Sequence, residues 1–270
     1  MHAIGANAVS KKCKPKYAGF FPQKKSDALA GMGILATMQR KFSADEPEIM
    51  DLPGQDEEEL RADLQNLAQL NRTFGGRVAV EKMFRHLAHG KKKVLLADLA
   101  SGYGDQGRNL IERGREQNCD VTVVAVDFQF QTLKLARAAT PREEKMFFVQ
   151  ADARNLPFRN RGADLVFCSL ALHHFAETDA VSVLREMARV GRLGTACVDL
   201  VRGRLAVFCI WLLTAVVMRD PMTRHDARLS VRRAFTHEEL RSLTERAGWR
   251  GLVQTKFFWF QQAVLSRLCA

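Results

Sequence analysis

Leu95-Leu96-Ala97-Asp98-Leu99-Ala100-Ser101-Gly102-Tyr103-Gly104-Asp105-Gln106-Gly107 runs from an apolar, strand-like segment through a glycine turn into the start of a helix. Gly102 and Gly104 let the backbone approach a ligand closely, and the helix that follows presents unpaired N–H groups at its N-terminus. Outward from this stretch, apolar runs alternate with helical patterns. Strands are expected over residues 94–99, 121–126, 146–150, 165–169 and 195–201, with helices over 105–115, 130–138 and 179–190 between them. The strand runs are nearly continuously apolar, as strands buried on both faces are, and so predict a parallel sheet with helices on each side. A capping box at Thr236-His237-Glu238-Glu239 starts a helix to Ala247, and strand-like runs follow at 252–258 and 260–268.

Ahead of the alternation, the spacing of Leu60, Leu64, Leu67 and Leu70 predicts an amphipathic helix from Asp56 to the Asn71–Gly76 turn, and a second helix spans 78–87. Before these, six lysines interspersed with Gly and Pro precede Arg40, with no acid until Asp27. This start reads as a disordered basic extension, a transit peptide ending near Ser43, or a signal peptide with its apolar part at 28–38. The expected organisation is an extension over 1–45, a helical lead-in over 46–90 and one catalytic domain over 91–270.

The 270 residues carry 41 basic and 30 acidic side chains, a net +11 that invites a nucleic-acid or anionic-membrane partner. Most of that excess lies in residues 1–50 and 201–250, away from the glycine turn. The six cysteines, at 13, 119, 168, 197, 209 and 269, contain no Cys-x-x-Cys pair and have no histidine at finger spacing, so no metal site is expected. Cys168, Cys197 and Cys209 lie in apolar runs, which suits a reducing compartment.

Gly102-x-Gly104-x-x-Gly107 taken literally is a dinucleotide fingerprint, and Asp127, 25 residues after Gly102 at the end of the next strand, could accept hydrogen bonds from ribose hydroxyls. The third strand delivers Asp152 and Ala153, and the fourth delivers Ser169 before His173-His174-Phe175. With these four motifs in order, the chain from about Asn71 onward resembles the class I S-adenosylmethionine-dependent methyltransferases, in the small-molecule branch that includes the ubiquinone and menaquinone methyltransferases. The resemblance implies an α/β Rossmann-like, doubly wound, seven-stranded sheet, parallel except for the last strand, with N-terminal helices and a helical cap insertion after the fifth strand, about 202–233. It implies S-adenosyl-L-methionine as cofactor: Asp98 orienting the methionine ammonium, the Ala100-Gly102-Gly104 turn carrying the amino-acid moiety, Asp127 on the ribose, Phe128 over the adenine, Asp152 and Ala153 at the adenine edge, and Ser169 completing the site. The family usually has Gly where this chain has Ala100.

Methyl transfer to an oxygen or carbon also requires a proton to leave, and His173, His174 and the His225-Asp226 pair are the candidate bases, although each histidine could instead be a packed or solvated loop residue. His225 lies in a turn-rich stretch, 219–226, that reads as a solvated loop. Residues 205–218 hold fourteen residues with one weakly polar Thr. As a helix they would extend ~21 Å, short of the ~30 Å bilayer core. Flanked by Arg202, Arg204, Arg219, Arg224, Arg228, Arg232 and Arg233, this helix could cover a small lipophilic acceptor and touch an anionic bilayer, or be an internal core helix with a basic rim. The expected location is the cytoplasm, at a membrane surface if the helix meets lipid, or an organelle matrix if 1–42 is a transit peptide. A nucleic-acid (RNA) methyltransferase is the first alternative, but Cys168-Ser169-Leu170-Ala171 lacks the stacking turn that would hold a flipped base. An NAD-linked oxidoreductase is the second, but neither Tyr17 nor Tyr103 has Lys four residues on.

Overall fold

The computed structural model describes residues 38–268 apart from 217, 219 and 258–260. The basic extension before residue 38, Cys13, Cys269 and Arg219 therefore lie outside the described residues. The chain begins with helices α1 (Glu57–Thr73) and α2 (Gly76–Leu87), then alternates β1 (Lys93–Leu99), α3 (Asp105–Glu116), β2 (Asp120–Asp127), α4 (Phe130–Ala138), β3 (Met146–Gln150), β4 (Ala163–Ser169), α5 (Glu177–Val190) and β5 (Gly191–Leu200). It ends with α6 (Arg204–Val216), α7 (Pro221–Arg233), α8 (His237–Arg246), β6 (Val253–Phe257) and β7 (Gln261–Arg267). The capping box is present at α8, where the Thr236 hydroxyl accepts from the Glu239 amide and the Glu239 carboxylate accepts from the Thr236 amide.

The strands form one sheet in the order β3-β2-β1-β4-β5-β7-β6, with β7 antiparallel to both neighbours and the rest parallel. Successive side chains of each strand point to opposite faces, and each face is covered. Val94 and Leu96, Val123 and Ala125, Leu165 and Phe167 pack with Val80, Met83, Phe84 and Leu110 of α2 and α3. Ala97 and Leu99, Val166 and Cys168, and Cys197 pack with Val183, Leu184 and Met187 of α5 and Leu240 and Leu243 of α8. Cys168 and Cys197 are buried free thiols facing each other across β4 and β5.

The chain crosses from β1 outward to β2 and β3, then returns to place β4 on the other side of β1. That reversal opens a crevice at the carboxyl ends of the strands, the position at which doubly wound sheets bind ligands. The antiparallel β7 between β5 and β6 also departs from the all-parallel 3-2-1-4-5-6 order of dinucleotide-binding folds.

Two expectations are corrected here. Residues 221–226, read as part of a solvated loop, belong to helix α7: Pro221 occupies the first turn, where it forfeits no hydrogen bond, and the Asp220 side chain caps the end through the Thr223 amide. Arg202 and Arg233 are buried rather than part of a lipid-facing rim. Arg202 donates to the carbonyls of Met38 and Ala234 and to Glu239 Oε1, fastening the start of the described chain to the segment after α7.

No described helix is long and apolar enough to cross a membrane. Replacing Arg202 by Met leaves two buried carbonyls and the Glu239 carboxylate without their charged donor, so urea unfolding is expected to show a loss of at least ~2 kcal/mol.

Candidate active site

A cavity of about 590 Å³ occupies the crevice. The carboxyl ends of strands β1 to β5 all contribute to its wall: Asp98 and the turn after β1, Asp127 to Gln129 at β2, Ala151 to Arg154 after β3, Ser169 to Ala171 at β4, and Leu200 of β5. The opposite wall comes from α1, α6, α7 and the segment from Phe42 to Asp51.

The turn after β1 is tight. Ala100 has φ of +49°, a left-handed conformation that glycine adopts freely and alanine does not, which is the physical meaning of finding Ala at this position. Gly104, at φ +72°, starts α3. The Asp127 carboxylate ties the turn to β2 by accepting from the Gly102 amide at 2.8 Å with one oxygen and from the Gln129 amide at 3.0 Å with the other.

Four cavity-lining side chains at this end carry a buried polar atom without a partner: Asp98 Oδ2, Ser101 Oγ, Gln106 Oε1 and Ser169 Oγ. Buried polar atoms are nearly always paired, so four converging on one space mark a polar ligand site. Burial, with Asp105 and Asp127 close by, pushes the Asp98 carboxyl up to about 8. Asp105 and Asp127 are also raised, each chiefly by burial. Three crowded, desolvated carboxyls call for a cationic guest. Phe128, 70% exposed, stands at the rim, and Ala153 is buried in the wall. Asp152 also lines the cavity, but its carboxylate is held by Arg154 at 2.7 Å, a partner that the motif reading did not assign.

At the other end, His173 and His174 meet Asp199 of β5 and two acids of the lead-in, Glu48 and Asp51. His173 Nδ1 pairs with Asp199 Oδ1 at 2.6 Å, and His174 Nδ1 pairs with Asp51 Oδ2 at 2.8 Å. Burial opposes charge on His174, but Glu48, the Asp51 hydrogen bond and Asp199 together outweigh it and raise the imidazole to about 10. With that proton in place His174 is a charged donor rather than a free base. His225 does not join this group: its exposed side chain bonds Asp226 at 2.9 Å and does not line the cavity. Asp226 itself is buried and accepts from the Ile49 and Met50 amides, so the pair fixes the lead-in instead.

Residues 96–194 match the family described as methyltransferase domain. The chain carries a class I S-adenosylmethionine-dependent methyltransferase domain. It has distant relatives among the demethylmenaquinone methyltransferases: that of Deinococcus radiodurans is 37% identical over 105 residues, 38% of this chain and 40% of the relative. That of Roseiflexus sp. is 30% identical over 144 residues, 48% of this chain and 58% of the relative. The chain thus spans about half the length of the curated relatives it matches. Among solved structures, human N-acetylserotonin methyltransferase in complex with SAM superposes with a TM-score of 0.58 at 18% identity, covering 80% of this chain and 57% of that one. A SAM-dependent methyltransferase from Aquifex aeolicus gives 0.54 at 14% identity, covering 77% and 98%. Those two likenesses establish the fold.

S-adenosylmethionine is the methyl donor of this family. It carries sulfonium and ammonium charges, and the acid-lined end with its unpartnered Asp98 oxygen suits both. Motif reading missed Ser101, Gln106, Glu48 and Asp51. The first two were inside the quoted turn and legible as polar neighbours; the acids have no motif and reach the site through tertiary contact alone.

The Asp98 carboxyl titrates near 3.9 when unfolded and about 8 when folded without ligand, so the folded chain holds an extra proton between those values. Its contribution to stability is full below about 4 and is lost as pH rises to about 8, approaching ~1.4 kcal/mol per pH unit. Thermal unfolding of ligand-free protein from pH 5 to 8 is expected to show a steeper decline for the wild type than for Asp98→Asn, a comparison in which the contributions of other buried carboxyls with raised values, Asp105 and Asp127 among them, are common to both proteins.

Proposed function

We propose that this methyltransferase transfers the methyl group of S-adenosylmethionine to an oxygen or carbon of a small lipophilic acceptor. The observation that carries the reading is one continuous cavity with unpartnered polar atoms at the β1 turn and apolar side chains at the far end, where Leu200, Ile210 and Leu213 lie. S-adenosylmethionine, when bound, supplies a sulfonium methyl already activated for displacement. The chain's part is to bind, align and exclude water. Asp98 holds the ammonium, the Ala100–Gly104 turn the amino-acid moiety and Asp127 the ribose hydroxyls, with oxygen lone pairs left beyond its two amide bonds. Phe128 lies over the adenine, Asp152 and Ala153 flank its edge, and Ser169 donates from the end of β4. The proton shed by the acceptor goes to the cluster of Glu48, Asp51, His173 and His174.

Helices α6 and α7 act as the cap. Ile210, Leu213 and Thr214 of α6 line the cavity, while Leu205, Phe208, Trp211, Leu212 and Val216 form an exposed apolar stripe on the other side. This stripe, with the exposed Arg204 and Arg232 nearby in sequence, rests on an anionic lipid surface from which a lipophilic acceptor enters. Nucleic acid is not the acceptor in this reading, because the acceptor end is acidic and apolar.

S-adenosylmethionine and S-adenosylhomocysteine at ~100-fold their dissociation constants should each stabilise the protein by about 2.7 kcal/mol in a thermal shift, with NAD and NADP giving none. Stabilisation by NAD alone, or an undiminished S-adenosylhomocysteine shift in Asp127→Ala, overturns the assignment. In vesicle sedimentation, the wild type should pellet with phosphatidylserine vesicles and Phe208→Ser/Trp211→Ser should not; equal pelleting of the two would remove α6 from the lipid contact.

A further inference from the structure

Glu48, His173 and His174 bring three metal-ligand atoms within 4.8 Å of one another on the cavity wall. His173 Nε2 lies 3.8 Å from Glu48 Oε1, and His174 Nε2 lies 3.6 Å from Glu48 Oε2. Each ligand is also held from behind. Asp199 fixes His173 through Nδ1, Asp51 fixes His174 through Nδ1, and the Ser230 hydroxyl donates to Glu48 Oε1 at 2.6 Å. Metal-binding histidines characteristically give their second ring N–H to a carboxylate, which leaves the lone pair on the nitrogen that faces the metal. Here both rings do so at once, and both Nε2 atoms turn toward one carboxylate; an ion binding there displaces to solvent the Nε2 proton that His174 carries in the metal-free chain.

The surroundings add a second, independent observation. Asp199, behind His173, is 1% exposed and its second oxygen, Oδ2, has no hydrogen-bond partner, a buried anionic atom left unpaired although Arg40 and Arg233 act on the acids of this corner. Three carboxylates surround two imidazoles in this corner. Ligand atoms about 2.1 Å from a tetrahedral metal lie about 3.4 Å apart; the two histidine–Glu48 separations, made to different carboxylate oxygens, exceed this by a few tenths of an ångström, and the three ligand atoms, which lie within 4.8 Å of one another, draw together by side-chain rotation when an ion binds.

We propose that Glu48, His173 and His174 bind one divalent transition-metal ion, with its open coordination positions directed into the cavity. Two imidazoles and one carboxylate suit Zn²⁺, Fe²⁺, Co²⁺ or Mn²⁺ rather than Ca²⁺ or Mg²⁺, which prefer all-oxygen shells. Binding itself is independent of the cofactor; the role of the ion rests on the methyl-transfer reading. With the ion bound, the cluster no longer takes the acceptor's proton: the O–H bond of a coordinated hydroxyl acceptor breaks, the proton leaves to solvent, and the electron pair stays on the metal-bound oxygen, which is then the nucleophile.

Tag-free full-length protein stripped with chelator and dialysed against Zn²⁺ should retain one equivalent by elemental analysis, and Co²⁺ loading should give ligand-field absorption of a nitrogen-ligated site. Glu48→Gln and His174→Gln should each lose that equivalent, and Asp199→Asn should weaken binding 10–100-fold as the loss of a supporting carboxylate does. An S-adenosylhomocysteine thermal shift in every variant reports that the fold is intact. Absence of bound Zn²⁺ and Co²⁺ in the wild type, or full retention in Glu48→Gln/His174→Gln, overturns the site. A wild type that binds Zn²⁺ without an S-adenosylhomocysteine shift supports the site while overturning the methyl-transfer reading.

Discussion

One oxygen of Asp98 is buried at the floor of the cavity without a partner, and much of the surrounding structure follows from it. A lone desolvated carboxylate is strongly unfavourable, so in the ligand-free chain the group stays protonated. A cation with donors of its own would allow it to ionise. The neighbouring acids Asp105 and Asp127 deepen the demand for positive charge, and the Asp127 bonds to the Gly102 and Gln129 amides keep the β1 and β2 ends together around it. The left-handed Ala100 belongs to the same constraint, because the chain must turn sharply above Asp98 to leave space for a guest.

The second half of the cavity has a different origin. Two of its acids, Glu48 and Asp51, arrive from the segment before α1, and the guanidinium groups of buried and half-buried arginines hold that segment in place. Arg40 donates to the carbonyls of His173, Phe175 and Arg233 and packs over the Phe235 ring at 3.9 Å. Arg202 binds the Met38 carbonyl, and Arg233 the Ser43 carbonyl. Part of the basic charge around the apolar helix is therefore an internal fastening rather than a surface field. The lead-in is joined to the sheet domain by these bonds and by the helix contacts of α1, whose Leu60 and Leu64 pack on Leu135 while Leu67 and Leu70 face the cavity.

The strand set, the α8 capping box and the residues that line the β1-turn end of the cavity were legible because they depend on local patterns: continuous apolar runs, a turn that needs small residues, and acids at strand ends. The Asp220-Pro221 start of α7 was also written locally, as a cap followed by a first-turn proline, but the density of turn-forming residues masked it. His225 and His174 were both candidate bases in the sequence. Nothing local distinguishes a histidine pointing to solvent from one enclosed by three carboxylates.

The sequence by itself determined the sheet, its helices and the position of the glycine turn, because hydrophobic periodicity and turn chemistry act over a few residues. Tertiary structure alone decided the end of the cavity away from the β1 turn: Glu48 meets His173 and Asp51 meets His174 across more than 120 residues of chain. Such a meeting has no periodic signature, since it follows from how buried arginines and helix packing fold one segment over another.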